Sequence, residues 1–325
     1  MKYTQLGASG LQVSRIALGC MSFGDTSTGF SEWALSEDDA APFFRQAIEL
    51  GITFWDTANV YSKGTSEEIV GRAIDEYSSR DQIVLATKVF FPMHDGPGGG
   101  GLSRKAIIEQ VDASLTRLGT DYVDLLQIHR FDPKVPIEET MEALHDIVKA
   151  GKARYLGASA MHTWQFANMQ HAAVLRGWTK FVSMQDQYSL LYREEEREMF
   201  GLLADQGVGS MPYSPLAKGR AARPHGDTGS KRAENDPVGS AHFSDANAQK
   251  DVVDAIEQVA AARDLPMAQI ALAWVLNNPV VSSPIVGATK QHHLADAAAA
   301  VNLTLTDEEV EQLETPYVTR STVGY

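Results

Sequence analysis

The stretch FWDTANVYSKG, residues 54–64, carries a carboxylate at Asp56 and a phenol at Tyr61, where an apolar run gives way to turn residues. The next β-rich run, QIVLATKV, has Lys88 near its end, and the one after, YVDLLQIH, ends on His129. Each residue alone has an ordinary reading: Asp56 caps a turn, Tyr61 packs on a loop, Lys88 faces solvent and His129 is a satisfied core histidine. The four together have a chemistry. A tyrosine ionises near pH ~10 and donates protons poorly at neutral pH unless a cation lowers that value. An adjacent ammonium does so by favouring the phenolate. A buried ammonium in turn needs a counter-charge, which Asp56 supplies. His129 would orient a carbonyl oxygen towards the phenol, and the set would deliver a proton to that oxygen as it gains negative charge.

Such side chains need strand ends to hold them. Apolar, β-rich runs at 14–19, 52–56, 82–89, 122–129, 153–159, 181–185, 207–213 and 283–287 alternate with longer amphipathic stretches. Helical patterns lie near 36–50, 65–79, 103–118, 137–150, 162–176, 193–206, 266–278 and 290–300. Ser103 and Thr306 read as N-caps, and Gly51, Gly119, Gly151 and Gly207 as stops. Continuously apolar strands imply a parallel sheet covered by helices. Eight units are what a (β/α)8 barrel of the α/β class (a TIM barrel) needs to close, and its chemistry sits at the C-terminal strand ends. A doubly wound open sheet is the alternative. Residues 2–13 predict a short N-terminal hairpin capping the barrel floor, and 217–248 a long loop after strand seven. No internal boundary interrupts the pattern, so residues 1–325 are expected to form one domain.

Composition narrows the classes. A hydrophobic content of 44% supports a sizeable core, and a net charge of −14 argues against a nucleic-acid partner. Cys20 is the only cysteine, which excludes an intramolecular disulfide and a thiolate cluster, and it reads as a small buried hydrophobe. With no signal-like start and no bilayer-length apolar run, the expectation is a cytoplasmic protein without membrane insertion. GPGGGG (96–101) formally fits a dinucleotide fingerprint, but FPMHD separates it from the strand and Asp121 precedes the next strand, so a rim loop is expected. His292 and His293 would point apart on a helix, and no metal site is expected. REEERE (193–198) reads as a solvated helix face.

The chain resembles the aldo-keto reductase superfamily, whose tetrad of Asp, Tyr, Lys and His falls in this order on these strands. FWDTANVYSKGTSEEIVGRAI, LATKVF and LLQIHRFD carry the pattern at Asp56, Tyr61, Lys88 and His129. LGCMSFG, VKAGKARYLGAS, QDQYSLLYREEE and PYSPLAKG extend it over nearly the whole chain. The likeness points to the bacterial branch related to voltage-gated potassium channel β subunits. It implies NADP(H)-dependent reduction of a small aldehyde or ketone with Tyr61 as general acid. A nicotinamide-binding, redox-sensing regulatory subunit is the alternative, and homo-oligomerisation stays open.

The resemblance also implies a cofactor path. Gly19, Cys20, Met21 and Asp56 belong to it, Ser159 and Gln185 would hold the carboxamide, and Tyr213 would stack on the nicotinamide. Ser214, Leu216, Gly219 and Arg220 would line the pyrophosphate path. Gly287, Thr289 and Lys290 suit a 2′-phosphate, with His293 and Asp296 at the adenosine end. Loops near Phe23, Phe91, Phe131 and Met161 would enclose the substrate. Two departures stand out: Ala160 follows Ser159 where Asn is frequent, and His293 and Ala297 replace a common Gln and Asn.

Overall fold

The computed structural model describes residues 1–28, 33–227 and 246–322. An antiparallel hairpin of β1 (Tyr3–Gln5) and β2 (Gln12–Ser14) precedes the main sheet. That sheet contains β3 (Ala17–Gly19), β4 (Phe54–Asp56), β5 (Val84–Val89), β6 (Val123–Ile128), β7 (Ala153–Ser159), β8 (Phe181–Gln185), β9 (Gly209–Ser210) and β10 (Ile285–Gly287). The strands run parallel in the order β10-β3-β4-β5-β6-β7-β8-β9. The two ends meet: Ile285 N–H donates to the Pro212 carbonyl at 2.8 Å and Ser282 N–H to Ser210 at 2.9 Å. The expected barrel is therefore closed.

The period-2 geometry of a strand sends alternate side chains to opposite faces. Leu18, Trp55, Leu85 and Leu126 join the large core shared with the helices. Their neighbours Ala17, Phe54, Ala86 and Leu125 form a separate inner cluster, plugged by Leu6 and Val13 of the hairpin. Asp56, Lys88, Gln127 and His129 share the parity of that inner set, higher up each strand. One sequence alternation thus fills the barrel floor with carbon and its mouth with polar groups. Gly19 permits the close pairing of β3 with β10, because a Cβ there would come within 2.8 Å of Ile285.

The helices are α1 (Glu37–Glu49), α2 (Thr65–Tyr77), α3 (Arg104–Leu118), α4 (Ile137–Lys149), α5 (Thr163–Arg176), α6 (Met199–Gln206), α7 (Ala246–Arg263), α8 (Met267–Asn277), α9 (His292–Ala300) and α10 (Asp307–Glu314). Ser103 Oγ caps α3 by accepting from Ala106 N–H, and Thr306 with Glu309 forms a reciprocal capping box on α10. Gly119 and Gly207 end α3 and α6 in the left-handed region.

Several expectations change. α7 begins inside the segment read as loop 217–248, which itself opens with a 3-10 helix, Ala217–Ala222; residues 228–245 lie outside the described residues. The helix expected at 193–206 is a 3-10 turn, Glu194–Glu196, followed by the short α6. REEERE is not a solvated face, because Glu194 and Glu195 are buried. Glu194 accepts hydrogen bonds from the Tyr317 hydroxyl, the Arg320 N–H and Arg197, and so fastens the C-terminal segment. His292 and His293 do not point apart: their rings meet edge to face with centroids 4.7 Å apart. Among the described residues no single helix is long and apolar enough to cross a membrane.

Candidate active site

The loop after β4 continues the strand pairing before it turns. Thr57 N–H donates to Ala86 O and Asn59 N–H to Lys88 O, and Tyr61 then opens a 3-10 turn, Tyr61–Gly64. Ser62 and Lys63 sit at φ 46° and 53°, a left-handed conformation that is strained for side-chain-bearing residues and is found where surrounding packing imposes it. The turn brings Tyr61 back over the barrel axis, 8% exposed.

Lys88 is fully buried and spends all three ammonium hydrogens. It donates to Asp56 Oδ2 at 2.6 Å, to the Thr57 carbonyl at 2.9 Å and to the Tyr61 hydroxyl at 3.2 Å. Burial works against its charge, but Asp56 and then Tyr61 outweigh burial and hold the ammonium above its ordinary pKa. For Tyr61 the balance falls the other way. Burial raises its pKa more than Lys88 lowers it, so the phenol keeps its proton, against the net lowering expected from the sequence. His129 lies edge to face with Tyr61, ring centroids 5.8 Å apart, and with Phe91 at 4.9 Å. Burial, then Lys88 and Arg130, push its pKa well below the usual value, leaving a neutral imidazole.

The sequence reading missed Gln127. Its Nε2 donates to Asp56 Oδ1 at 2.8 Å, and Gln185 Nε2 donates to the same oxygen at 3.1 Å and to Gln127 Oε1 at 3.0 Å. Both Asp56 oxygens are thus occupied. Gln127 stands two residues before His129, so strand parity alone places both on the inner face. Gly157, its neighbour in register on β7, leaves the room: a Cβ there would sit 2.4 Å from Ser183 and 3.0 Å from Gln127.

Of the other expected cofactor residues, Ser159 lies beside Gln185 in register and donates to its carbonyl at 3.1 Å. Gly19, Cys20 and Met21 lead from β3 into a 3-10 turn, Cys20–Ser22; the Cys20 thiol is buried, and burial followed by Asp56 holds its pKa well above normal. Tyr213 and Ser214 follow β9 half-buried, and Tyr213 N–H donates to Asp186 O at 2.7 Å. Leu216, Gly219 and Arg220 lie half-buried in and beside the Ala217–Ala222 turn. Gly287, Thr289 and Lys290 are exposed between β10 and α9, whose first turn carries no acidic residue. Helix amides and a cation there fit an anionic group. His293 Nδ1 accepts from Thr289 N–H at 3.3 Å, and Asp296 accepts from Gln269 on α8 at 2.9 Å, so both have intramolecular roles. Ala160 takes φ 41°, a conformation that Asn tolerates better than Ala.

The substrate-pocket set divides. Phe91 and Phe131 are half-buried at the mouth. Phe23 and Met161 are 0% exposed and belong to the core; Phe23 packs on Phe43 and Phe44 of α1 at 6.0 and 4.9 Å. Trp164, at the start of α5 and 58% exposed, meets Phe131 edge to face at 6.1 Å and was not anticipated.

Residues 15–317 match the family model described as "Aldo/keto reductase family", and the chain belongs to that family. An aldo-keto reductase of Fusarium vanettenii is 45% identical over 347 residues, spanning 99% of this chain and 93% of its own length. The versiconal hemiacetal acetate reductase of Aspergillus parasiticus is 42% identical over 342 residues, spanning 99% and 98%. A Schizosaccharomyces pombe protein named as a presumed aryl-alcohol dehydrogenase is 42% identical over 339 residues, spanning 97% and 95%. Proteins of this family generally use a nicotinamide cofactor.

Proposed function

We propose that the protein is an NADP(H)-dependent reductase of aldehydes and ketones, with Tyr61 as the general acid. The observation that carries this reading is the buried Lys88, tied at once to Asp56 and to the Tyr61 hydroxyl at the C-terminal mouth of the barrel. Bound there, a reduced nicotinamide supplies hydride to the carbonyl carbon. Ser159 and Gln185 would hold its carboxamide, Tyr213 its ring, and Ser214, Leu216, Gly219 and Arg220 its pyrophosphate path. The exposed Thr289 and Lys290 beside Gly287 support a 2′-phosphate. Tyr61, protonated at neutral pH, gives its hydrogen to the carbonyl oxygen as that oxygen gains charge. Lys88 then stabilises the phenolate left behind, and Asp56 keeps Lys88 charged. Neutral His129 can donate to the same oxygen without adding a competing charge.

The names of the fungal relatives, a reductase of a hemiacetal acetate and a presumed aryl-alcohol dehydrogenase, support turnover over redox sensing. The channel β-subunit branch draws no support from them. Tyr61→Phe tests the reading: kcat on a panel of aldehydes should fall by at least about 100-fold, the usual worth of a positioned proton donor. Fluorescence titration should still detect NADPH binding. Unimpaired turnover by the variant would refute the role of Tyr61.

A further inference from the structure

Arg130 is a half-buried cation with little to bind it among the described residues. Arg80, Arg117, Arg193 and Arg263, also partly buried, each hold a carboxylate. Arg15 is satisfied by the carbonyls of Val281, Ser282 and Leu276. Arg130 donates one bond, from Nη1 to the His129 carbonyl at 2.6 Å, and lays its guanidinium over the Phe91 ring at 5.6 Å. Among the described residues no carboxylate pairs with it, in a chain of net charge −14. A guanidinium has five N–H donors in a planar fork that matches a carboxylate. Its field reaches Tyr61, His129 and Tyr213. Around it stand rings: Phe91 against His129, and Phe131 against the exposed Trp164.

We propose that Arg130 is a substrate-binding residue that pairs with an acidic group, a carboxylate or ionised phenol, on an aromatic aldehyde or ketone. The substrate ring lies against Phe91, Phe131 and Trp164, and its carbonyl faces Tyr61 and His129. This deepens the carbonyl-reductase reading and rests on it. The guanidinium gives the site its preference for an anion, and the aromatic rim gives its preference for a flat ring.

The test compares 4-carboxybenzaldehyde with methyl 4-formylbenzoate, which keeps the ring and the aldehyde but not the charge. The wild-type protein should favour the acid in kcat/KM by about ten- to 100-fold, the worth of a charge-assisted hydrogen bond. In Arg130→Gln that ratio should collapse towards one through a higher KM for the acid, and Arg130→Lys should restore part of it. Equal loss on both substrates, or a wild-type preference for the ester, overturns the proposal. So does a raised NADPH dissociation constant in Arg130→Gln, which would assign the guanidinium to the cofactor. If neither aldehyde is reduced, the reductase reading fails by itself, and calorimetry with benzoate still decides the subsite. Benzoate bound by the wild type but not by Arg130→Gln upholds it, and no difference between them overturns it.

Discussion

An ammonium has three hydrogens to give, and Lys88 gives them to Asp56, Thr57 and Tyr61 with no solvent contact. Lys88→Met would leave Asp56 buried with two amide donors but no cation. A buried charge stripped of its partner costs about 3–5 kcal/mol, so the urea midpoint should fall steeply even where the barrel still forms. Unchanged stability would mean that Asp56 is not held as a charged group. At this scale the sequence was readable where a titratable side chain ended a strand, as Asp56, Lys88 and His129 do. Gln127 escaped because it carries no charge, although its spacing from His129 put it on the same face. For Phe23 and Met161 the sequence left two places open, because an apolar residue past a strand end can fill the mouth or the helix layer equally well. Only the neighbours, here Phe43 and Phe44, decide which.

The elements were legible wherever one strand led to one helix. α7 broke that grammar: among the described residues no strand stands between the Ala217–Ala222 turn and its start, which is polar. The apolar spacing of Val252, Val253, Ile256, Val259 and Ala260 is nonetheless helical, and these residues are buried. α10 was visible only through its cap, Thr306. The entrance to α9 carries a pH dependence of its own. Burial, followed by His292 and Lys290, lowers the His293 pKa to about 4, with Asp296 opposing. The unfolded chain protonates this histidine near pH ~6.5, so between that pH and about 4 it binds the proton that the folded state refuses. Stability should therefore decline as pH falls through this window. His293→Asn should lose less than the wild type between pH 7 and 5 in denaturant titrations. Parallel losses would assign the acid sensitivity to other groups.

Across the whole molecule, distant chain segments are tied by a few polar contacts. The segment after α10 returns to the loop following β8, where the Tyr317 hydroxyl donates to Glu194 at 2.7 Å and accepts from Arg193 N–H at 2.9 Å. Tyr317→Phe removes both and should cost about 1–3 kcal/mol, because it also takes a partner from a buried carboxylate. A lower urea midpoint at unchanged slope would report this, and an unchanged midpoint would show that Arg197 and the Arg320 N–H suffice. Barrel closure between Pro212 and Ile285 seals the inner layer from both ends of the sheet. Among the described residues Lys88 is therefore the lysine whose amine stays beyond the reach of a small acylating reagent while the staves hold. Its labelling, followed peptide by peptide over time, would act as a clock for how often the barrel opens.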